Sequence, residues 1–147
     1  MKPRGVNRVT IAVRDLEKAV GIFSKLLNTT FFSASATARP HGIDAAISWD
    51  AGIELLAPLP GHRNNVSDFL DKRGEGLMSV YFAVDNVEEA RNRAEQVGAG
   101  IRATMDYNKD EIERYFQGRF RTFKEYLLAD TAATCGARVI VGQFDPR

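Results

Sequence analysis

The sequence predicts an α+β fold in which two tandem βαβββ modules form one curved mixed sheet around a cavity, with helices packed outside. Three observations predict it. Shifting the chain by 71 residues lays Val9 on Val80, Ala12 on Ala83, Val13 on Val84, Glu17 on Glu88 and Ala19 on Ala90. Each copy then continues in the same order, an alternating strand running into a helix and on to three extended stretches. The length of 147 residues suits one such pair and a real core without disulfides.

In the first module Val9, Ile11 and Val13 alternate with Arg8, Thr10 and Ala12, giving a strand with two distinct faces. Asp15 is placed to cap the following helix, whose buried stripe is Leu16, Ala19, Val20, Phe23, Leu26 and Leu27, and Asn28 is its stop signal. Strands are expected at Thr29–Ala34, Ile43–Trp49 and Ile53–Leu56, the last two joined by a tight turn at Asp50-Ala51-Gly52.

The second module begins with the strand Ser79–Val84 and a helix opened by Asn86 and Glu89 in a capping-box-like pattern. Val87, Ala90, Ala94 and Val97 form its apolar stripe, and Gly98 ends it. Strands follow near Ile101–Asp106, Thr122–Leu128 and Ala137–Gln143. Two pieces interrupt the duplication. The connection LAPLPGHRNN leads into a short helix with Val66, Phe69 and Leu70 on one side, and NKDEIERYFQGR is a second helix adding Ile112, Tyr115 and Phe116 to some surface. The whole chain, 1–147, reads as a single domain of modules spanning about 5–60 and 76–147.

Composition narrows the function classes. Net charge is +1, with Lys and Arg scattered rather than gathered in a stripe, so no nucleic-acid footprint is indicated. No apolar run is long enough to span a bilayer, and the N-terminal stretch lacks a secretory h-region. The single Cys135 forms no internal disulfide, which fits a cytoplasmic location. Cys135 lies in a turn-like TCG without a neighbouring His, and RGEGL lacks the Lys-Ser/Thr of a phosphate loop.

The segments RVTIAVRDLEKAVGIFSKLLN, GIELLAP and FLDKRGEGLMSVYFAVDNVEEA resemble the vicinal oxygen chelate superfamily, which includes glyoxalase I, methylmalonyl-CoA epimerase, extradiol dioxygenases and bleomycin resistance proteins. FLDKRGEGL and GIELLAP look most like the epimerase branch. In metal-using members, the resemblance implies, four inward side chains bind a divalent ion, two from each module. The first-strand ligand, usually His, falls on Arg8, and its counterpart in the second module on Ser79. The last-strand ligand of the first module falls on Glu54, which matches. That of the second module falls on Ile140, and neither Val139 nor Val141 would serve better if the register slipped. One position in four is retained.

A guanidinium donates hydrogen bonds but offers no lone pair to a metal, Ser is a poor ligand, and Ile is none. The expectation is therefore that the family metal is lost and no cofactor is used. His41 and His62 fall in loop-like sequence, away from the inward positions. Arg8 and Glu54 are expected to pair in the volume of the missing ion.

Alternation supplies the ligand-binding candidates: Arg8 and Thr10, Glu54 and Leu56, Ser79 and Tyr81, Arg138 and Ile140. Tyr81 either stacks on or hydrogen-bonds a ligand, or simply packs. Arg8 and Arg138, with only one offset by Glu54, favour an anionic ligand, and apolar walls favour an aromatic one. The expected function is metal-free small-molecule binding, with a homodimer implied by the resemblance. The alternative is a lyase, isomerase (epimerase-like) or dioxygenase-like enzyme with Glu54 as general base and Tyr81 as acid. Neither nucleic acid nor membrane is an expected partner.

Overall fold

A computed structural model describes all 147 residues. The chain divides into two compact units, Arg8–Met78 and Ser79–Arg147, the second also holding Met1–Asn7.

In the N-terminal unit, β1 (Pro3–Ala12) is followed by α1 (Leu16–Leu27), β2 (Phe32–Ser33), α2 (Ser35–Ala38), β3 (Ile43–Ser48), β4 (Ile53–Pro58) and α3 (Asn65–Arg73). Its strands are ordered β2-β3-β4-β1, with β1 parallel to β4 and the other pairs antiparallel. Asp15 accepts a hydrogen bond from the Lys18 N–H, and Asn28 closes α1 in the left-handed conformation at φ 48°, as its sequence position predicts. Gly52, at φ 65°, supplies the left-handed residue that the β3–β4 turn needs.

The strand expected over Thr29–Ala34 shrinks to Phe32–Ser33, and the following SATARPH forms a helical turn and a 3-10 turn. Small hydroxyl residues accompany this change. Thr37 Oγ1 donates to the Ala34 carbonyl, and Ser35 Oγ donates to Asp44, so side chains compete with a sheet ladder.

The C-terminal unit contains β5 (Gly76–Val84), α4 (Val87–Gln96), β6 (Ile101–Asp106), α5 (Lys109–Phe116), β7 (Phe120–Leu128) and β8 (Val139–Pro146), β5 beginning just before the unit boundary. Its order, β5-β8-β7-β6, repeats that of the first unit, with β5 parallel to β8 and the remaining pairs antiparallel. The start of β1 belongs here because polar groups hold it: the Met1 ammonium is 2.6 Å from Glu89, Lys2 N–H donates to Asp85 at 2.6 Å, and Arg4 pairs with Asp145 at 2.7 Å. Glu89 is thereby diverted from a reciprocal capping box; Asn86 still accepts the Glu89 N–H.

In each unit the strands carry helices on both faces. In the first unit α1 covers the face of Ile11, Val13, Leu55 and Ala57, while α3 sets Val66 and Leu70 against Ala12, Leu56 and Met78 on the other. In the second, α4 covers Val84, Tyr126 and Val141. Helix α5 lies on the opposite face, its Phe116 ring stacked on Phe123 with centroids 4.1 Å apart. Phe82, expected beneath a helix, is instead 40% exposed.

One edge of the α4 layer is polar. Lys124 Nζ lies 2.6 Å from Glu88 and 3.1 Å from Asp106, and the Tyr126 hydroxyl shares its proton between the two Glu88 oxygens. The bond from Lys124, then that from Tyr126, lowers the Glu88 carboxyl below the ordinary glutamate range, and partial burial opposes them. A group whose pKa is lowered by folding stabilises the fold above its unfolded value, and this stability disappears as pH falls through the folded value. Stability is accordingly expected to decline on acidification below about pH 4–5, where free glutamate titrates. Glu88→Gln should flatten that decline in urea titrations across pH 3–7, and an unchanged slope would show that this carboxylate contributes nothing to it.

Candidate functional site

The face of the first unit that turns away from α1 is set by strand register. Thr10 pairs with Glu54 and Ala12 with Leu56 across the parallel β1–β4 ladder. Glu54 in turn opposes Ile47, and Ile47 opposes Phe32. Strand alternation then brings Arg8 and Thr10 to the same face as Glu54, Ile47 and Phe32.

Arg8 and Glu54 meet on this face: Arg8 Nε donates to Glu54 Oε2 at 2.7 Å, with the side chains 5% and 14% exposed. The Arg8 guanidinium carbon also lies 5.4 Å from the centroid of the Trp49 ring, an arrangement that adds roughly 0.5–2 kcal/mol when desolvated. Trp49 falls just past β3, and its part in the site was not legible in the sequence because the turn sets its direction. Thr10 is fully buried. Leu56, a predicted ligand contact, packs in the apolar cluster under α3.

In the second unit Tyr81 pairs with Ile140, and Ile140 with Leu127, making one row across β5, β8 and β7. Tyr81 is 9% exposed and Ile140 3%. Ser79 is half-buried near the start of the same strand. Arg138, expected on the strand with Ile140, lies one residue ahead of β8; its carbonyl accepts the Val80 N–H at 3.0 Å and its side chain is half-buried.

The next row contains a residue that sequence reasoning missed. Glu125 opposes Gly142 on β8 and Met105 on β6, and it is only 5% exposed. It shares its face with Leu127 and Phe123, while Lys124 and Tyr126 face α4. The alternation in FKEYL separates these two sets, but nothing in the sequence says which faces the helix. The Tyr126–Glu88 bond decides it.

The divalent ion implied by the family resemblance does not fit these residues. Arg8 places a cation and donor-only nitrogens at one ligand position, 2.7 Å from the retained carboxylate of Glu54. Ile140 contributes no donor atom. No three His, Cys, Asp or Glu side chains converge anywhere in the chain to hold a metal ion. His41 and His62 are exposed in connections, and Cys135 is exposed at the end of a 3-10 turn. A shallow surface concavity of about 390 Å³ lies elsewhere, lined by the C-terminal end of α1 and the β3–β4 turn, from Leu27–Thr30 to Asp50 and Ala51.

Comparison with known proteins fits this geometry. Residues 7–116 match the model of the Glyoxalase/Bleomycin resistance protein/Dioxygenase superfamily. Among solved structures, methylmalonyl-CoA epimerase from Mycobacterium tuberculosis is similar at TM-score 0.75 and 20% identity, covering 98% of this chain and 90% of the epimerase. A hypothetical protein from Bacillus halodurans is similar at TM-score 0.74 and 17% identity, covering 97% of this chain and 95% of the other. A Streptomyces coelicolor methylmalonyl-CoA epimerase variant in complex with 2-nitronate-propionyl-CoA is similar at TM-score 0.72 and 16% identity, with coverage of 97% and 99%. At these identities the likeness establishes the fold. No curated protein matches the sequence significantly.

Proposed function

We propose that this chain, which belongs to the glyoxalase/bleomycin resistance protein/dioxygenase superfamily, binds a small organic molecule of aromatic or anionic character without the family's divalent metal. One observation carries the reading. The Arg8–Glu54 ion pair, 2.7 Å long and buried, stands on the two first-module positions where the family resemblance places metal ligands. A guanidinium–carboxylate pair of this kind fills volume, satisfies the carboxylate and leaves no vacancy in charge for a cation.

In the first unit the proposed ligand contacts are Arg8, Thr10 and Glu54, with Leu56 as apolar wall. In the second they are Ser79, Tyr81, Arg138 and Ile140. A few polar groups set among apolar side chains is the usual make-up of a small-molecule site. The same reading includes a homodimer in the cytosol and no nucleic-acid or membrane partner. No helix is long and apolar enough to cross a membrane.

A second reading draws on the fold neighbours, which include methylmalonyl-CoA epimerases. In that reading the chain is an epimerase-like isomerase, or a lyase or dioxygenase-like enzyme, with Glu54 as base and Tyr81 as acid. The ion pair bears on it, since Arg8 Nε already donates to Glu54 Oε2 and only the remaining lone pairs of the carboxylate are left to act as a base.

The experiment is a thermal-shift screen of small aromatic and carboxylate compounds, followed by product analysis of every hit. A ligand that binds the native state raises the melting temperature by mass action. The binding reading expects hits recovered unchanged after prolonged incubation. Turnover of a hit would establish the enzymatic reading instead, and an empty screen would count against both.

A further inference from the structure

We infer that the open edge of β6 is the surface on which a second copy of this chain pairs, strand to strand and antiparallel, about a two-fold axis through Thr104. This gives the homodimer of the proposed function its surface and rests on that part of it. β6 ends the strand order of its unit, with β7 on one side and no strand on the other. The outer strand of the first unit, β2, has two residues against six in β6. An antiparallel ladder alternates between pairs that exchange hydrogen bonds and pairs that do not. Tyr107 N–H donates to the Phe123 carbonyl at 3.2 Å, so Tyr107 and, two residues before it, Met105 aim their backbone groups at β7. Thr104 and Asp106 therefore turn theirs outward, and both residues are exposed.

The sequence of this edge, IRATMD, is complementary to its own reverse. With Thr104 opposite its own copy, Asp106 stands opposite Arg102 of the second copy, and Arg102 opposite the second copy's Asp106. Thr–Thr and opposite-charge pairs are both favourable directly across a ladder. On the other face Ala103 meets Met105 of the second copy, a small side chain against a long adaptable one, and both are only half-buried in the single chain. Moving the axis one residue either way breaks both ion pairs. Charges that guard an edge against general pairing thus specify one register here. Asp106 can serve two partners: Lys124 Nζ lies 3.1 Å from one oxygen, its side chain is 59% exposed, and a carboxylate has about four acceptor sites. Arg102 occupies the bulge between Ile101 and Ala103, where its long side chain reaches out from the bent start of the strand. One short strand per copy makes a small interface, so the dimer is expected to be weak and reversible.

The test is sedimentation velocity on the full-length protein over a dilution series reaching its solubility limit, where a monomer–dimer equilibrium is expected. Thr104→Pro removes the outward N–H, and an edge strand tolerates proline where that group faces solvent. This variant should fold and stay monomeric at every concentration. Arg102→Glu sets like charges against each other at both ends of the pairing and should weaken the dimer about tenfold. Asp106→Lys should do the same. An equal mixture of Arg102→Glu and Asp106→Lys should regain the native affinity, because opposite charges then meet at both ends. These exposed positions test the surface independently should Thr104→Pro fail to fold. A dimer that none of the three substitutions weakens overturns the β6 surface and leaves the homodimer standing. A protein that stays monomeric up to its solubility limit overturns both, while small-molecule binding is decided by its own screen.

Discussion

Replacing Arg8 by Met is expected to destabilise the protein by about 3–5 kcal/mol, the cost of leaving a buried carboxylate without its partner. Glu54 is 14% exposed and accepts from Arg8 Nε at 2.7 Å, so water cannot fully take over the lost contact. Removing both charges should behave differently. Because desolvation offsets most of what a buried pair gains, Arg8→Met combined with Glu54→Leu should recover much of the loss. Urea unfolding of the two single variants and the double variant measures this directly. A single Arg8→Met change that leaves the midpoint in place would mean that the pair is incidental to the fold.

Phe123→Ala is expected to cost about 3–5 kcal/mol, through lost burial and the cavity left behind. Phe123 is 2% exposed and stands at the centre of a ring cluster. Phe116 stacks on it at 4.1 Å, and Phe144, Phe120 and Tyr107 present edges at 5.0, 5.3 and 5.5 Å. Each such aromatic pair is worth about 0.5–1.5 kcal/mol beyond area alone. Phe123→Leu, which keeps much of the volume, should cost less. Because α5 is held to the sheet through Phe116, hydrogen exchange along Lys109–Phe116 should accelerate in Phe123→Ala more than in α4, which packs on the other face. Equal acceleration in both helices would show that the cluster is not what anchors α5.

The duplication was legible because periodicity and caps repeat together. Val9, Ile11 and Val13 alternate, Asp15 and Asn28 bracket α1, and the pattern recurs from Val80 to Gly98. Strand ends were harder to read. β1 extends back to Pro3 because Lys2, Arg4 and Met1 find carboxylates 83 to 141 residues away in sequence, and no local signal encodes those partners. β2 is shorter than the alternation suggested: only Phe32 and Ser33 pair with β3, and the chain turns helical at Ser35.

The site divides in the same way. Arg8 and Glu54 could be read from alternation on two strands whose register a parallel ladder preserves. Glu125 could not, because both alternating sets of FRTFKEYLL contain aromatics and charges. Its facing depends on the Tyr126–Glu88 bond to α4, a tertiary contact.

The most direct measurement is metal content on purified, untagged protein expressed in medium supplemented with zinc, manganese, cobalt, nickel and iron, then dialysed without chelator. With Arg8 and Ile140 on family ligand positions, metal is expected far below one equivalent per chain, and chelator should leave the melting temperature unchanged. Close to one equivalent of a divalent ion surviving dialysis, with stability lost on chelation, would contradict the replacement of the metal by the Arg8–Glu54 pair.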